Sequence, residues 1–285
     1  ESLERVDGFE IEVRRTWRRL RGRKGDAVGP GFMAPLVWAD VIHCHQARSG
    51  LTAMATLIGR LLGKKIYVTD HGGGGVNWIR RLRIGRWVDA QLAQSAFAGQ
   101  TLPALGKRTE VVFAGVDHTK YVPGAEKVLG RVVYVGRLLP HKGIEFAIRG
   151  LPSGASLEIY GRPYDADYLR FLETEAASRP VTFHTQASDQ RVIRALASAC
   201  AFVMPSVYDD YRGRHQALPE LVGLAPIEAM ACGTAAVVSN VAGMPEIITP
   251  DAGAIVRPGD AGDMRRALEP LTTSVDRALQ EGALA

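Results

Sequence analysis

The 285 residues are 46% hydrophobic and 23% charged, a globular balance with enough apolar material for two cores and no continuous apolar run of about eighteen residues to cross a membrane. A formal charge of +5 suits anionic substrates or a lipid surface and does not call for nucleic acid. The three cysteines (Cys44, Cys200 and Cys232) are odd in number and scattered through apolar surroundings, which reads better as buried thiols in a reducing compartment than as a disulfide framework or zinc site, for which the spacing is lacking.

In chain order, Gly8 to Arg14 is the first strand. The basic run from Arg14 to Lys24, with Trp17 inside it, is either a solvated loop or a contact for an anionic acceptor or lipid headgroups. Asp40 to His45 is a strand, on which His43 and His45 point the same way. Ser49 to Leu62 has helical spacing, with Leu51, Met54, Ala55, Ile58 and Leu62 on one side. The strand Lys65 to Thr69 runs into Asp70, His71 and four glycines. His71 therefore faces the edge where open α/β sheets bind ligands. His43 and His45 could line an acceptor site there; without a nearby carboxylate they make a poor metal site. Val88 to Gln94 and Glu110 to Phe113 complete this half, and Gly124 to Gly130 reads as a linker. The expected domains are 1–124 and 125–285.

The second half repeats the alternation, with strands near 132–135, 156–160, 181–184, 200–204 and 235–239. Gly136 ends the first of these, and the turn that follows carries Arg137 and Lys142 before a helix from Ile144 to Leu151. A guanidinium fork and an ammonium at such an edge can neutralise a diphosphate. Further on, Glu220 and Glu228 stand eight positions apart, with Leu221, Val222, Gly223 and Leu224 leading into a helix through Pro226. The proline suits a first helical turn, where Glu228 is also placed, and the free amides of that turn favour anions. Carboxylates in turn accept hydrogen bonds from sugar or ribose hydroxyls. Residues 207–219 crowd Asp209, Asp210, Arg212, Arg214 and His215 just before Glu220. They form either part of the sugar pocket or a surface loop.

Together, Glu220 to Glu228 and Arg137 to Gly143 resemble the E-x(7)-E and GR-x(4)-KG motifs of retaining glycosyltransferases of family 4. Thr69-Asp70-His71-Gly72 is similar to that family's T-x-H-G segment, and Gly115-Val116-Asp117 with Tyr121 and Pro123 to the segment leaving its first domain. Val241 to Glu246 and Gly253 to Asp260 resemble its closing segments. The resemblance implies an α/β chain of the GT-B fold, two Rossmann-like domains with a cleft between them. Relative to the family, the N-terminal domain is incomplete in this chain and the 207–219 stretch is longer than usual.

The implied activity is metal-independent transfer of a sugar from a UDP- or GDP-sugar to a sugar, lipid-linked or small-molecule acceptor with retention of configuration. It takes no cofactor and involves no nucleic acid. The resemblance assigns the diphosphate to Arg137 and Lys142, with the amides from about Gly223 to Ile227 beside them, the donor more broadly to Gly136 and to Leu221, Val222, Gly223 and Leu224, the transferred sugar to Glu220, the ribose to Glu228 and the leaving group's surroundings to His71. His43 and His45 fall on the acceptor side. Asp209 and Asp210 do not stand in the context of a metal-binding DxD motif. The enzyme would be cytoplasmic, with peripheral contact at the inner membrane face through residues 14–24. A sugar-nucleotide epimerase, or a non-catalytic nucleotide-sugar-binding protein of the same fold, remains the alternative; a phosphorylase would need a pyridoxal-binding lysine for which the sequence has no matching site.

Overall fold

The computed structural model describes residues 2–6, 9–13, 18–19, 27–28, 30–72, 78–101, 105–124, 126–249 and 251–284. The chain forms two compact units that divide between Phe113 and Ala114. This division lies upstream of the linker read from sequence, because Tyr121, Gly124 and Lys127 are tied into the second unit. Tyr121 donates a hydrogen bond to Glu228, and the buried Lys127 ammonium donates to Thr234 Oγ1 at 2.6 Å and to the Ala197 carbonyl at 3.2 Å. A side chain at Gly124 would collide with the Ala197 carbonyl oxygen, 2.7 Å from an ideal Cβ.

In the first unit β1 (Ser2–Val6) and β2 (Phe9–Val13) form an antiparallel hairpin, and β3 (Arg18–Arg19) pairs with β4 (Ala27–Val28). The remainder of the basic 14–24 run, like the glycines at 73–75, lies outside the described residues. Next come α1 (Met33–Trp38), β5 (Val41–His45), α2 (Gly50–Leu61), β6 (Lys65–Thr69), α3 (Trp78–Arg81), β7 (Ala90–Ala93), α4 (Ala96–Thr101) and β8 (Thr109–Val111). Strands β5, β6, β7 and β8 lie in that order in a four-stranded parallel sheet.

The buried face of α2 is not the one expected from its large residues. Thr52, Ala53, Ala55, Thr56 and Gly59 are buried, while Leu62 is exposed and Leu51, Met54 and Ile58 are only partly covered. Close approach to the sheet selects small residues: a Cβ at Gly59 would meet Ile42 Cδ1 at 2.5 Å. A hydrophobicity pattern weighted by side-chain size misses such a face. All three cysteines are free; Cys200 and Cys232 are buried, whereas Cys44 is only half-buried.

The second unit comprises β9 (Arg131–Val135), α5 (Ile144–Gly150), β10 (Ser156–Tyr160), α6 (Ala166–Ala176), β11 (Val181–His184), α7 (Asp189–Ser198), β12 (Ala201–Met204), α8 (Leu224–Ala231), β13 (Ala236–Ser239), β14 (Gly253–Val256), α9 (Ala261–Thr273) and α10 (Val275–Leu284). Its six parallel strands run β11-β10-β9-β12-β13-β14. This is the doubly wound order, in which the winding reverses between β9 and β12 and leaves a crevice beyond their carboxyl ends. Every residue of β12 and β13 is buried, as a sheet covered on both faces requires. β14 was foreseen only as a closing motif; four residues, one of them glycine, carry too little periodicity to identify a strand.

Among the described residues no helix is long and apolar enough to cross a membrane.

Candidate functional site

The crevice between β9 and β12 is built by two loops held in close contact. The turn after β9 bonds back to the sheet through Gly136 N–H to the Tyr160 carbonyl (2.9 Å) and Leu138 N–H to the Arg162 carbonyl (3.0 Å). Tyr134, wholly buried, donates from its hydroxyl to the Arg137 carbonyl at 3.1 Å and props the turn from below. At the end of the turn, Gly143 adopts φ 59°. Its backbone lies so near the chain after β12 that a Cβ would stand 2.3 Å from the Pro205 carbonyl oxygen. Val207 N–H bonds the His141 carbonyl at 2.9 Å and completes the join.

Across this join two of the expected site residues meet. The Lys142 ammonium forms an ion pair with the Glu220 carboxylate, and both side chains are buried. Ser206 donates a hydrogen bond to the same Glu220 oxygen at 3.0 Å. Lys142 is thus engaged by a carboxylate, where the sequence suggested a cation reserved for phosphate. Arg137 is exposed at the rim. Burial, with the Lys142 charge adding to it, lowers the His141 pKa below the usual imidazole range.

Helix α8 begins at Leu224, earlier than the sequence suggested, behind Gly223, whose φ of 86° only glycine adopts readily. Its N-cap residue, a glycine, supplies no side-chain hydrogen bond to the first-turn amides. Leu221 and Val222 lead into it, Val222 buried. Glu228 does not sit in the first turn; it is the fifth helical residue, too far along for the free amides. Its partner is Tyr121, whose hydroxyl donates to Glu228 Oε1 at 3.0 Å. Burial, reinforced by that bond, raises the Tyr121 pKa.

Beside the Gly136–Arg137 turn opens a cavity of about 820 Å³, lined by Tyr160, Gly161, Arg162, His184 and Gln186 among others. The ring of His184 stacks on Tyr160 with centroids 4.5 Å apart. The wall is tight, since a Cβ at Gly161 would lie 1.7 Å from the Gly136 carbonyl oxygen.

The 207–219 stretch is a pinned hairpin. Asp209 and His215 pair at 2.8 Å, Asp210 Oδ1 accepts from the Arg212 and Arg214 amides, and Arg212 grips Asp165 with both guanidinium nitrogens at 2.7 and 3.2 Å. Tyr211 stacks on Phe171 at 4.3 Å. The side chains of Asp209, Asp210, Arg212 and His215 thus serve this segment's own fold and its anchorage at the start of α6.

In the first unit the carboxyl ends of three neighbouring strands bring together His43, His45, His71 and Gln94. His43 Nε2 lies 2.9 Å from Thr69 Oγ1, His45 Nδ1 lies 2.9 Å from His71 Nε2, and Gln94 Nε2 lies 3.1 Å from His71 Nδ1. Burial and the neighbouring imidazoles lower the pKa values of His43 and His71. Among the described residues no group of three or more His, Cys, Asp or Glu is placed to hold a metal ion. The sequence pointed to each histidine but not to their contact. Gln94 was missed, although its place directly after a strand is the signal that singled out His71. Tyr121 was missed as a site member because its partner lies 107 positions along the chain, and Ser206 because only the fold of the intervening 207–219 hairpin returns Glu220 to it.

Comparison with known proteins agrees with this architecture. Residues 123–279 match the family model for glycosyl transferases group 1. The alpha-maltose-1-phosphate synthase of Mycolicibacterium smegmatis is 27% identical, with 86% of this chain and 72% of that protein aligned. Among solved structures, sucrose-phosphate synthase from Thermosynechococcus elongatus superposes with a TM-score of 0.68 at 20% identity, over 88% of this chain and 69% of that one. Anabaena HepE in complex with UDP and glucose superposes with a TM-score of 0.65 at 20% identity, over 90% and 77%. These likenesses establish the fold as GT-B, with a Rossmann-like parallel sheet in each unit. With more than half of its residues matched by the family model, the chain belongs to the glycosyl transferases group 1 family.

Proposed function

We propose that this glycosyltransferase moves a sugar from a UDP- or GDP-sugar to an acceptor hydroxyl with retention of anomeric configuration and without a metal. The observation that carries the reading is the junction of Lys142, Glu220 and the uncapped start of α8 at the reversal point of the second sheet. A cation and free amides suit a diphosphate, and a carboxylate beside them suits the hydroxyls of the sugar it carries. The cavity of about 820 Å³ next to Arg137 is large enough for a nucleoside. Glu228, already accepting from Tyr121, has an oxygen to spare for ribose. Alpha-maltose-1-phosphate synthase and the UDP complex of HepE lend support to a nucleotide-sugar donor.

In this reading the anomeric C–O bond breaks with its electron pair leaving on the diphosphate. The acceptor oxygen forms the new bond on the same face, and its proton passes to the departing phosphate. Arg137, Lys142 and the α8 amides stabilise the charge that develops. A metal is unnecessary where those groups do that work. Glu220, held by Lys142 and Ser206, is poorly placed to attack carbon, which favours retention without a covalent glycosyl-enzyme. The acceptor is a sugar, a small molecule or a lipid-linked glycan; for the last, residues 14–24 would provide contact at the cytoplasmic membrane face.

A thermal-shift screen of UDP- and GDP-sugars tests the donor, since a ligand at a hundred times its Kd adds about 2.7 kcal/mol. Product NMR then reads the anomeric configuration, with and without chelator. A chain stabilised by no nucleotide sugar, or a product of inverted configuration, overturns the reading.

A further inference from the structure

Glu220 stands at the foot of the 207–219 hairpin, whose two ends meet where the Ser206 hydroxyl donates to its carboxylate at 3.0 Å. The far end of the hairpin is fixed as well. Residues 210–213 close a turn, with Gly213 N–H on the Asp210 carbonyl at 2.8 Å and the Arg212 amide on the Asp210 carboxylate at 2.8 Å. From this turn the partly buried Arg212 guanidinium forks onto Asp165 at 2.7 and 3.2 Å and lies 3.7 Å from Asp167. Beside it, the Tyr211 ring packs on Phe171 at 4.3 Å and against Tyr168 at 5.4 Å.

Asp165 has a second task, since it caps α6 by accepting the Tyr168 amide at 3.0 Å. The buried Tyr168 hydroxyl in turn accepts the Ile144 amide at 2.9 Å and donates to Glu145 at 2.6 Å. Ile144 opens α5, two residues after Lys142. The start of α6 therefore carries both sides of the Lys142–Glu220 pair: Asp165 holds the hairpin that ends at Glu220, and Tyr168 holds the helix that follows Lys142.

We propose that Arg212 is a positioning residue for Glu220, its clasp on Asp165 fixing the hairpin to the frame that also carries Lys142. The sequence left this stretch between a pocket wall and a surface loop; as a strut it is neither. That Glu220 receives the donor's sugar rests on the glycosyltransferase reading above, whereas the clasp and its mechanical effect do not.

Three variants of the full chain test it. Arg212→Met keeps the stem and removes the fork, Arg212→Lys keeps a charge for Asp165, and Arg214→Met removes the same charge from an exposed side chain with no partner among the described residues. Without ligand, hydrogen exchange over residues 205–209 reports the Val207 amide, which bonds the His141 carbonyl. It should exchange about fivefold faster in Arg212→Met, less so in Arg212→Lys, and at the wild-type rate in Arg214→Met. In titrations, Arg212→Met should weaken binding of the UDP- or GDP-sugar that stabilises the wild type about fivefold, while free UDP or GDP binds as before or more tightly. It should add nothing in a Glu220→Gln background, where the carboxylate to be placed is gone, and Arg214→Met should move neither affinity. Unchanged Val207 exchange in Arg212→Met, equal losses for both ligands, or an undiminished effect in Glu220→Gln would each overturn the proposal. If Arg212→Met does not fold, Arg212→Lys must show the same pattern at smaller size, and wild-type behaviour there overturns the proposal equally. A wild type that binds no nucleotide sugar would instead count against the transferase reading, with the exchange rates still deciding the clasp.

Discussion

Removing the Lys142 ammonium is the sharpest test of the second unit's site. Lys142→Met keeps the aliphatic stem but leaves the Glu220 carboxylate with Ser206 as its hydrogen-bond partner. The two side chains are only 8% and 10% exposed, so solvent compensates poorly. Two unit charges at about 3 Å attract by roughly 5 kcal/mol at an effective dielectric near 20. Stripping one partner from a buried pair typically costs about 3–5 kcal/mol. The retained Ser206 bond places this case near the lower end, about 3 kcal/mol. With a urea slope of about 1–3 kcal/mol per molar, the unfolding midpoint should fall by about 1–3 M. The probe matters: all four tryptophans lie before Ala114 and report the first unit, whereas every tyrosine except Tyr67 lies in the second. Tyrosine absorbance is therefore the signal to follow. Combining Lys142→Met with Glu220→Gln removes the stranded charge, and the double variant should recover about 2 kcal/mol relative to the sum of the singles. An unchanged midpoint for Lys142→Met, or strict additivity in the cycle, would refute a buried ion pair at this position.

The two glutamates should separate in titrations with free UDP or GDP: Glu228→Gln weakens binding about tenfold, or ~1.4 kcal/mol, through the ribose, while Glu220→Gln, which releases Lys142 for the diphosphate, leaves that affinity equal or higher and depresses transfer. Equal losses for both would contradict this division. Gly161→Ala should cost more than about 2 kcal/mol of second-unit stability, because its Cβ would lie 1.7 Å from the Gly136 carbonyl oxygen. Gly115→Ala, with open space around it, should be silent in the same denaturation assay. Burial raises the pKa of Glu145, whose Oε2 accepts from Tyr168 at 2.6 Å while Oε1 has no partner among the described residues. A carboxyl with a raised folded-state pKa favours the fold below its unfolded pKa, and that stability is lost as pH rises through the folded value. Urea midpoints of wild type should thus decline from the ordinary glutamate range upward, and Glu145→Gln should flatten the decline; parallel pH profiles would exclude the mechanism.

Much of this was legible in the residues. The strands at 131–135, 156–160 and 181–184 announce themselves as short runs carrying β-branched, aliphatic or aromatic residues next to a glycine or proline. The failures have two physical sources. Where an element packs by closeness, size misleads: α2 buries Thr52, Ala53, Thr56 and Gly59 and leaves larger residues outside. Where a residue's role is set by a partner far along the chain, spacing is silent. Tyr121 and Glu228 are 107 positions apart, and Lys142 and Glu220 are 78. The GT-B fold came from the motifs as a set, but which charges neutralise which could come only from the tertiary contacts.

That distinction changes how the proposed donor would enter. A lone Lys142 would add its full charge to the attraction for a diphosphate. Paired with Glu220, it presents almost none until the pair is loosened, so part of the binding energy must go into exchanging one partner for another. The exchange need not be unfavourable, because the sugar attached to the same diphosphate brings hydroxyls that can satisfy the Glu220 carboxylate as Lys142 turns to phosphate. Free nucleoside diphosphate lacks those hydroxyls and would leave Glu220 with Ser206 alone. On the proposed reading the pair would therefore favour the intact sugar nucleotide over the spent leaving group, a bias that would help product depart. Arg137, exposed at the rim, carries no such obligation and is free to meet the anion first.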